Sequence, residues 1–90
     1  MEIVFSTKAK NDLAFWSKSG NKKILKKISE LLRAIQESPF EGIGKPEPLK
    51  YNLSGVWSRR IDQEHRLIYE IIDENTIEIL NIISLKGHYE

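Results

Sequence analysis

The sequence predicts an α+β fold in which one strand and two helices precede three further strands. Three observations predict it: a helical apolar period over residues 21–37, three strand-like segments after residue 55, and a loop rich in proline and glycine between them. The chain is expected to pack both helices on one face of an antiparallel sheet. Ninety residues are expected to form a single domain, 1–90.

The first strand and the first helix have short, clear signals. Residues 2–5 favour a strand, and Ser6 or Thr7 can cap a helix that runs to about Lys18. Gly20 is placed to end that helix.

The second helix is the strongest local prediction. Asn21 can cap it, and one face carries Ile24, Ile28, Leu31 and Ile35. Its other faces are basic, with Lys22, Lys23, Lys26, Lys27 and Arg33. These cations form either a solvated face or a contact surface for RNA or an acidic partner.

Pro39 is expected to stop the second helix, and residues 39–48 to form a stiff loop. Strands are then expected over residues 56–62, 65–73 and 76–85. The short polar segments between them suit tight antiparallel turns.

Composition excludes several classes of protein. The chain has no cysteine, which excludes disulfides, thiolate catalysis and cysteine-based zinc sites. No apolar run is long enough for a membrane helix, and the N-terminal residues lack a signal-peptide pattern, so we expect a cytoplasmic protein. The net charge of +1 combines an excess of six positive charges over residues 1–60 with an excess of five negative charges over residues 61–90.

Glu47 is a candidate general base because Pro46 and Pro48 flank it. The two prolines restrict the backbone and give the carboxylate a defined direction, as general base catalysis requires. The alternative is an ordinary exposed loop glutamate.

Arginines in two adjacent predicted strands form a candidate anion site. Alternation places Arg59 on the face of Trp57 and Ile61, at the edge of the core, and Arg60 on the open face. A tight turn would bring Arg60 close to Arg66, and two neighbouring guanidinium groups are typical of an anion site. A salt-bridge network with Glu64 or Glu70 is the alternative.

His88 and Tyr89 provide an imidazole that titrates near neutrality beside an aromatic ring. With only two histidines, we expect no metal site and no cofactor. Glu47, the arginines and His88 match the base, cations and acid that metal-free RNA cleavage through the ribose 2′-OH requires. The basic residues alone fit a non-catalytic RNA- or ribosome-binding protein equally well.

The segment PFEGIGKPEPLKYNLSGVWSRRIDQEHRLIY (residues 39–69) and the C-terminal KGHY resemble the YoeB/Txe family, within the RelE-like superfamily of toxins. The resemblance is collinear over nearly the whole chain. It implies a RelE-like fold and an endoribonuclease that cuts messenger RNA in the ribosomal A site. It also implies a YefM-like cognate antitoxin, the 70S ribosome as partner, often a homodimer, and contact with operator DNA only through the antitoxin complex.

Residue by residue, the resemblance assigns the general base to Glu47, the transition-state arginine to Arg66, and the general acid to His88 with Tyr89 beside it. Lys50 and Arg60 match residues that contact phosphate, and Arg59, beside Arg60, is included among the predicted RNA-binding residues. Tyr51, Leu85 and Glu90 depart from the family pattern, and none of them removes a proposed catalytic group. A DNA-binding or gyrase-directed relative on the same scaffold is a third class, disfavoured because Glu47 and the His-Tyr tail occur together.

Overall fold

The computed structural model describes residues 1–49 and 55–85, which form two helices and five strands. In chain order these are β1 (Glu2–Phe5), α1 (Thr7–Ser19), α2 (Lys22–Glu37), β2 (Glu47–Pro48), β3 (Val56–Arg60), β4 (His65–Ile71) and β5 (Thr76–Ser84). The predicted α+β class and the order of the main elements are confirmed.

Both helices begin at the predicted caps. The Ser6 hydroxyl accepts a hydrogen bond from the Ala9 N–H at 2.9 Å, and the Asn21 side chain accepts one from the Ile24 N–H at 3.1 Å. Each cap satisfies an N–H group that the first helical turn leaves without a backbone partner. Gly20 ends α1 in the left-handed conformation, and α2 ends at Glu37, with Ser38 as its C-terminal cap immediately before Pro39.

The five strands form one sheet in the order β1-β5-β4-β3-β2. The predicted antiparallel pairing of β3, β4 and β5 is confirmed. The sheet is mixed rather than wholly antiparallel, because β1 pairs parallel to β5 with Ile3 opposite Ile77. The chain between β1 and β5, which includes both helices and the other three strands, is longer than the crossover that a parallel connection needs.

The predicted loop over residues 39–48 ends in a short strand. Glu47 and Pro48 of β2 pair with Ser58 and Trp57 of β3 at the sheet edge. Proline is tolerated there because an edge strand does not need every N–H for the ladder.

The core lies between the helices and one face of the sheet. The predicted apolar stripe of α2 is confirmed, since Ile24, Ile28, Leu31 and Ile35 are all buried. The sheet contributes Leu67, Tyr69, Ile77, Ile79 and Ile82. In the described part of the chain, neither helix is long and apolar enough to cross a membrane.

A bulge in β5 ties the sheet to α1. The register shifts between Ile68 and Tyr69, which leaves Leu80 without a residue opposite. The Ser6 hydroxyl donates to the Leu80 carbonyl at 2.6 Å, and the Ile82 N–H donates to the Asp12 carboxylate at 2.9 Å. Side chains of the α1 region therefore satisfy polar groups around the bulge.

Gly44 allows the segment before β2 to approach the core closely. Its φ is +85°, and a Cβ at this position would lie 2.7 Å from Leu31 Cδ2 and 3.1 Å from the Arg60 carbonyl oxygen. Gly20 also has a positive φ, of +75°, but a Cβ there would meet nothing within 4 Å. An alanine at position 20 therefore introduces backbone strain alone, whereas an alanine at position 44 introduces strain and overpacking.

We predict that Gly44→Ala destabilises the fold more than Gly20→Ala. Left-handed strain costs roughly 1–2 kcal/mol at either position, and overpacking adds roughly 1–3 kcal/mol at Gly44. Urea unfolding of both variants measures the difference in the free energy of unfolding. Equal losses in the two variants would contradict the close approach at Gly44.

Candidate active site

The pairing of β2 with β3 brings Glu47 beside Arg60. A Glu47 carboxylate oxygen lies 3.9 Å from Nη2 of Arg60, and their side chains are 63% and 46% exposed. This separation is too long for a hydrogen bond. Both groups therefore face solvent close enough for one ligand to touch them together.

The pairing of β3 with β4 places Arg60 directly opposite Arg66. The Ile61 N–H donates to the His65 carbonyl at 2.9 Å, so the next pair along, Arg60 and Arg66, is not hydrogen-bonded through its backbone. Side chains approach most closely in pairs of this kind. The expectation that a tight turn brings these two arginines together is confirmed.

Arg66 is oriented by the turn between β3 and β4. Its Nη1 donates to the carbonyl oxygens of Asp62 at 2.7 Å and His65 at 3.0 Å. Among the described residues, neither arginine forms an ion pair with Glu64 or Glu70, which was the alternative interpretation. Two basic residues thus stand opposite each other in adjacent strands, with the Arg66 guanidinium held at the turn.

The turn itself is held by Asp62. One carboxylate oxygen accepts from the N–H groups of Glu64 at 2.8 Å and His65 at 2.6 Å, and it also lies 3.0 Å from the His65 ring nitrogen Nδ1. Burial alone raises the pKa of Asp62, but the hydrogen bonds from His65 and Glu64 outweigh it, so the pKa lies below its ordinary value of 3.8. The turn therefore depends on an ionised Asp62.

Charges on the open face are separated along the strands. At the end opposite Arg60 and Arg66, Glu70 of β4 pairs with Glu78 of β5. A polyanion is therefore attracted to the arginine end and repelled from the glutamate end. Within residues 1–49 and 55–85, no group of three His, Cys, Asp or Glu side chains is placed to hold a metal ion.

The sequence matches the family of YoeB-like toxins of bacterial type II toxin-antitoxin systems over residues 5–89. The chain belongs to this family. It is 50% identical over 90 residues to Toxin YoeB of Synechocystis sp., an alignment that covers 100% of this chain and 99% of that protein. The resemblance found in the sequence is confirmed.

Solved YoeB structures have the same fold. The YoeB dimer from Staphylococcus aureus matches with a TM-score of 0.79 at 48% identity, covering 90% of this chain and 92% of that one. The YoeB–YefM complex from the same organism matches with a TM-score of 0.78, also at 48% identity, covering 91% and 93%. The RelE-like fold class is thus shown for this YoeB-family chain.

Arg59 corrects the predicted RNA-binding set of this YoeB-family protein. Its side chain is fully buried, and it hydrogen-bonds to the Tyr69 hydroxyl and to three backbone carbonyls. A guanidinium without exposed surface is not available to RNA, so the prediction that Arg59 binds RNA is wrong for this structure. Strand alternation, which put Arg59 on the face of Ile61, was the signal that pointed to the core.

Three predicted site residues lie outside the described residues: Lys50, His88 and Tyr89. The described chain ends at Leu85, whose N–H donates to the Glu64 carbonyl at 2.8 Å. The end of β5 is therefore tied to the turn that orients Arg66. Sequence reasoning placed Asp62 in a polar turn segment without assigning its hydrogen bonds, and it missed the role of Tyr69.

We predict that Asp62→Asn reduces the acid sensitivity of the fold. Because the folded-state pKa is lowered, the carboxylate contributes stability that is fully present above the unfolded value of about 3.8 and is lost as the pH falls through the folded value. The asparagine cannot titrate, so this loss should disappear. Urea unfolding from neutral pH down to roughly pH 2 measures it. Equal loss in wild type and variant would contradict the role given to Asp62.

Proposed function

We propose that this YoeB-family protein is an endoribonuclease that cuts messenger RNA in the ribosomal A site. Two observations carry the proposal: the Glu47 carboxylate lies 3.9 Å from the Arg60 guanidinium, and Arg66 stands opposite Arg60 in the adjacent strand, on the same face of the sheet. A base beside two cations suits attack on a phosphate by a neighbouring hydroxyl.

The proposed reaction begins with removal of the ribose 2′-OH proton by Glu47. The 2′-oxygen then attacks the adjacent phosphorus, and Arg66 and Arg60 stabilise the negative charge that develops on the phosphate oxygens. His88 donates a proton to the leaving 5′-oxygen as its bond to phosphorus breaks, and Tyr89 packs beside the reacting nucleotide. The products are a 2′,3′-cyclic phosphate and a free 5′-hydroxyl. DNA lacks the 2′-OH and should resist cleavage.

The proposal includes partners by analogy with the solved relatives. The Staphylococcus aureus structures contain a YoeB dimer and a YoeB–YefM complex. For this chain we propose a YefM-like antitoxin that places acidic or aromatic groups over Arg60 and Arg66, a homodimer, and contact with operator DNA only through the antitoxin complex. The 70S ribosome would present the message, and Lys50 and Arg60 would contact the phosphates of that message. Because ribosomes translate in the cytoplasm, we propose that the protein acts there.

We predict that Arg66→Ala cuts ribosome-bound message roughly 100- to 1000-fold more slowly than wild type, because it loses a preorganised charge at the phosphate. The effect is measured as the rate at which new 5′ ends of the message appear, at a saturating concentration of ribosomes programmed with that message. Arg33→Ala is the matched control, since it removes the same charge from the exposed face of α2. A folded Arg66→Ala protein that cuts at the wild-type rate would remove Arg66 from the mechanism.

We predict that deletion of residues 88–90 leaves a folded protein that binds the antitoxin and the ribosome but no longer cuts. The deletion removes the proposed acid while β5 still ends at Ser84. Deletion of Glu90 alone is the control and should be nearly silent. Undiminished cleavage by the shorter protein would place the acid elsewhere. If wild type itself binds ribosomes without cutting, the protein is instead a non-catalytic ribosome-binding protein.

A further inference from the structure

Arg59 is a buried cation whose hydrogen bonds go to neutral oxygens. Its Nε donates to the Tyr69 hydroxyl at 3.1 Å, its Nη1 to the Ile43 carbonyl at 3.1 Å, and its Nη2 to the carbonyls of Ser38 at 2.6 Å and Glu41 at 3.0 Å. In the described part of the chain, no carboxylate forms an ion pair with it. Burying a guanidinium without an ion pair is costly, so its contacts point to a specific role.

Tyr69 completes the arrangement. It is fully buried, and its hydroxyl donates to the Pro39 carbonyl at 2.7 Å while it accepts from Arg59. Four carbonyls of residues 38–43 therefore converge on two side chains. This segment has no helix or strand of its own to satisfy those groups. We call Arg59 and Tyr69 the loop clamp.

The segment held by the loop clamp leads directly to Glu47. Just after it, the Gly44 carbonyl accepts from the Arg60 N–H at 2.7 Å. Lys45 then has a positive φ of 49°, and prolines at 46 and 48 restrict the remaining backbone. Gly44 is itself confined by Leu31 and by its hydrogen bond to Arg60. A displacement of the segment is therefore passed on to the Glu47 carboxylate.

We propose that Arg59 and Tyr69 are positioning residues for the reaction: the loop clamp fixes the position of Glu47 relative to Arg60 and Arg66. The inference rests on the proposed function, in which Glu47 is the base. Because Arg59 and Arg60 are neighbours in β3, the same strand holds the loop from its core side and presents a cation to Glu47 on its open side. Loosening the loop clamp removes none of the three charged groups but changes the distance of Glu47 from the arginines.

Tyr69→Phe tests the clamp, because it removes one hydroxyl and retains the ring in the core. We expect kcat for ribosome-bound message to fall by about 10- to 100-fold, as misplacement of a catalytic group does, while KM changes less than about twofold because Arg60 and Arg66 are untouched. Arg59→Lys, which retains the charge but loses the fork of donors, should change kcat in the same direction.

The control for lost stability is Asn21→Ala, which removes the cap of α2 and touches neither the segment nor the site. It should lower the melting temperature without changing kcat. The second control is the Glu47→Gln background. If the clamp acts through Glu47, Tyr69→Phe should have less than about a twofold effect there, since the effects of coupled residues do not add. An undiminished effect of Tyr69→Phe in that background, or a wild-type kcat in folded Tyr69→Phe, would overturn the inference.

Amide hydrogen exchange separates failure of the inference from failure of the proposed function. The Arg60 N–H is bonded to Gly44, so a loosened segment should expose it, and we expect its exchange in Tyr69→Phe to be roughly tenfold or more faster than in Asn21→Ala. If the Arg60 N–H is as well protected from exchange in Tyr69→Phe as in Asn21→Ala, the inference that the loop clamp holds the segment is overturned, whether or not the protein cleaves RNA. If wild type does not cleave, or if Glu47→Gln cuts at the wild-type rate, the proposed base fails, while the exchange measurement still decides whether the clamp holds the segment.

Discussion

Five consecutive residue pairs join β3 to β4, from Val56 opposite Glu70 to Arg60 opposite Arg66. Because strand side chains alternate between faces, this one register assigns Arg59 and Leu67 to the core and sets Arg60 and Arg66 opposite each other on the other face. A slip by one residue would exchange the faces, exposing Leu67 and burying a cation without its carbonyl partners. The interior and the candidate active site are therefore specified by the same ladder of hydrogen bonds.

Much of this fold could be predicted because the signals are local. The apolar period of α2, the Asn21 cap and the stop before Pro39 are properties of neighbouring residues, and so is the alternation that separates Arg59 from Arg60. The parallel pairing of β1 with β5 could not be predicted in this way. This pairing joins the first and the last strand along the chain, and no property of residues 2–5 indicates which strand they pair with.

The residue types of the candidate site could be predicted, but the residues that hold its loop in place could not. The positions of Glu47, Arg60 and Arg66 agree with a carboxylate beside paired cations. Arg59 was included among the RNA-binding residues, although strand alternation placed it at the edge of the core. Its actual partners are carbonyls of a segment 16 to 21 positions earlier in the chain and the hydroxyl of Tyr69. Which carbonyls lack partners is decided by tertiary structure, so the sequence pattern does not reveal it.

The parallel edge of the sheet has a consequence for how the protein comes to be folded. The hydrogen-bonded residues Ser6 and Leu80 are 74 positions apart, and closing a loop of that length costs about 4 kcal/mol of chain entropy. Contacts so distant along the chain slow the folding of a domain. During synthesis both helices emerge before β5, whereas β1 can join the sheet only after β5 is made. The nascent chain therefore has no complete sheet until β5 has been translated.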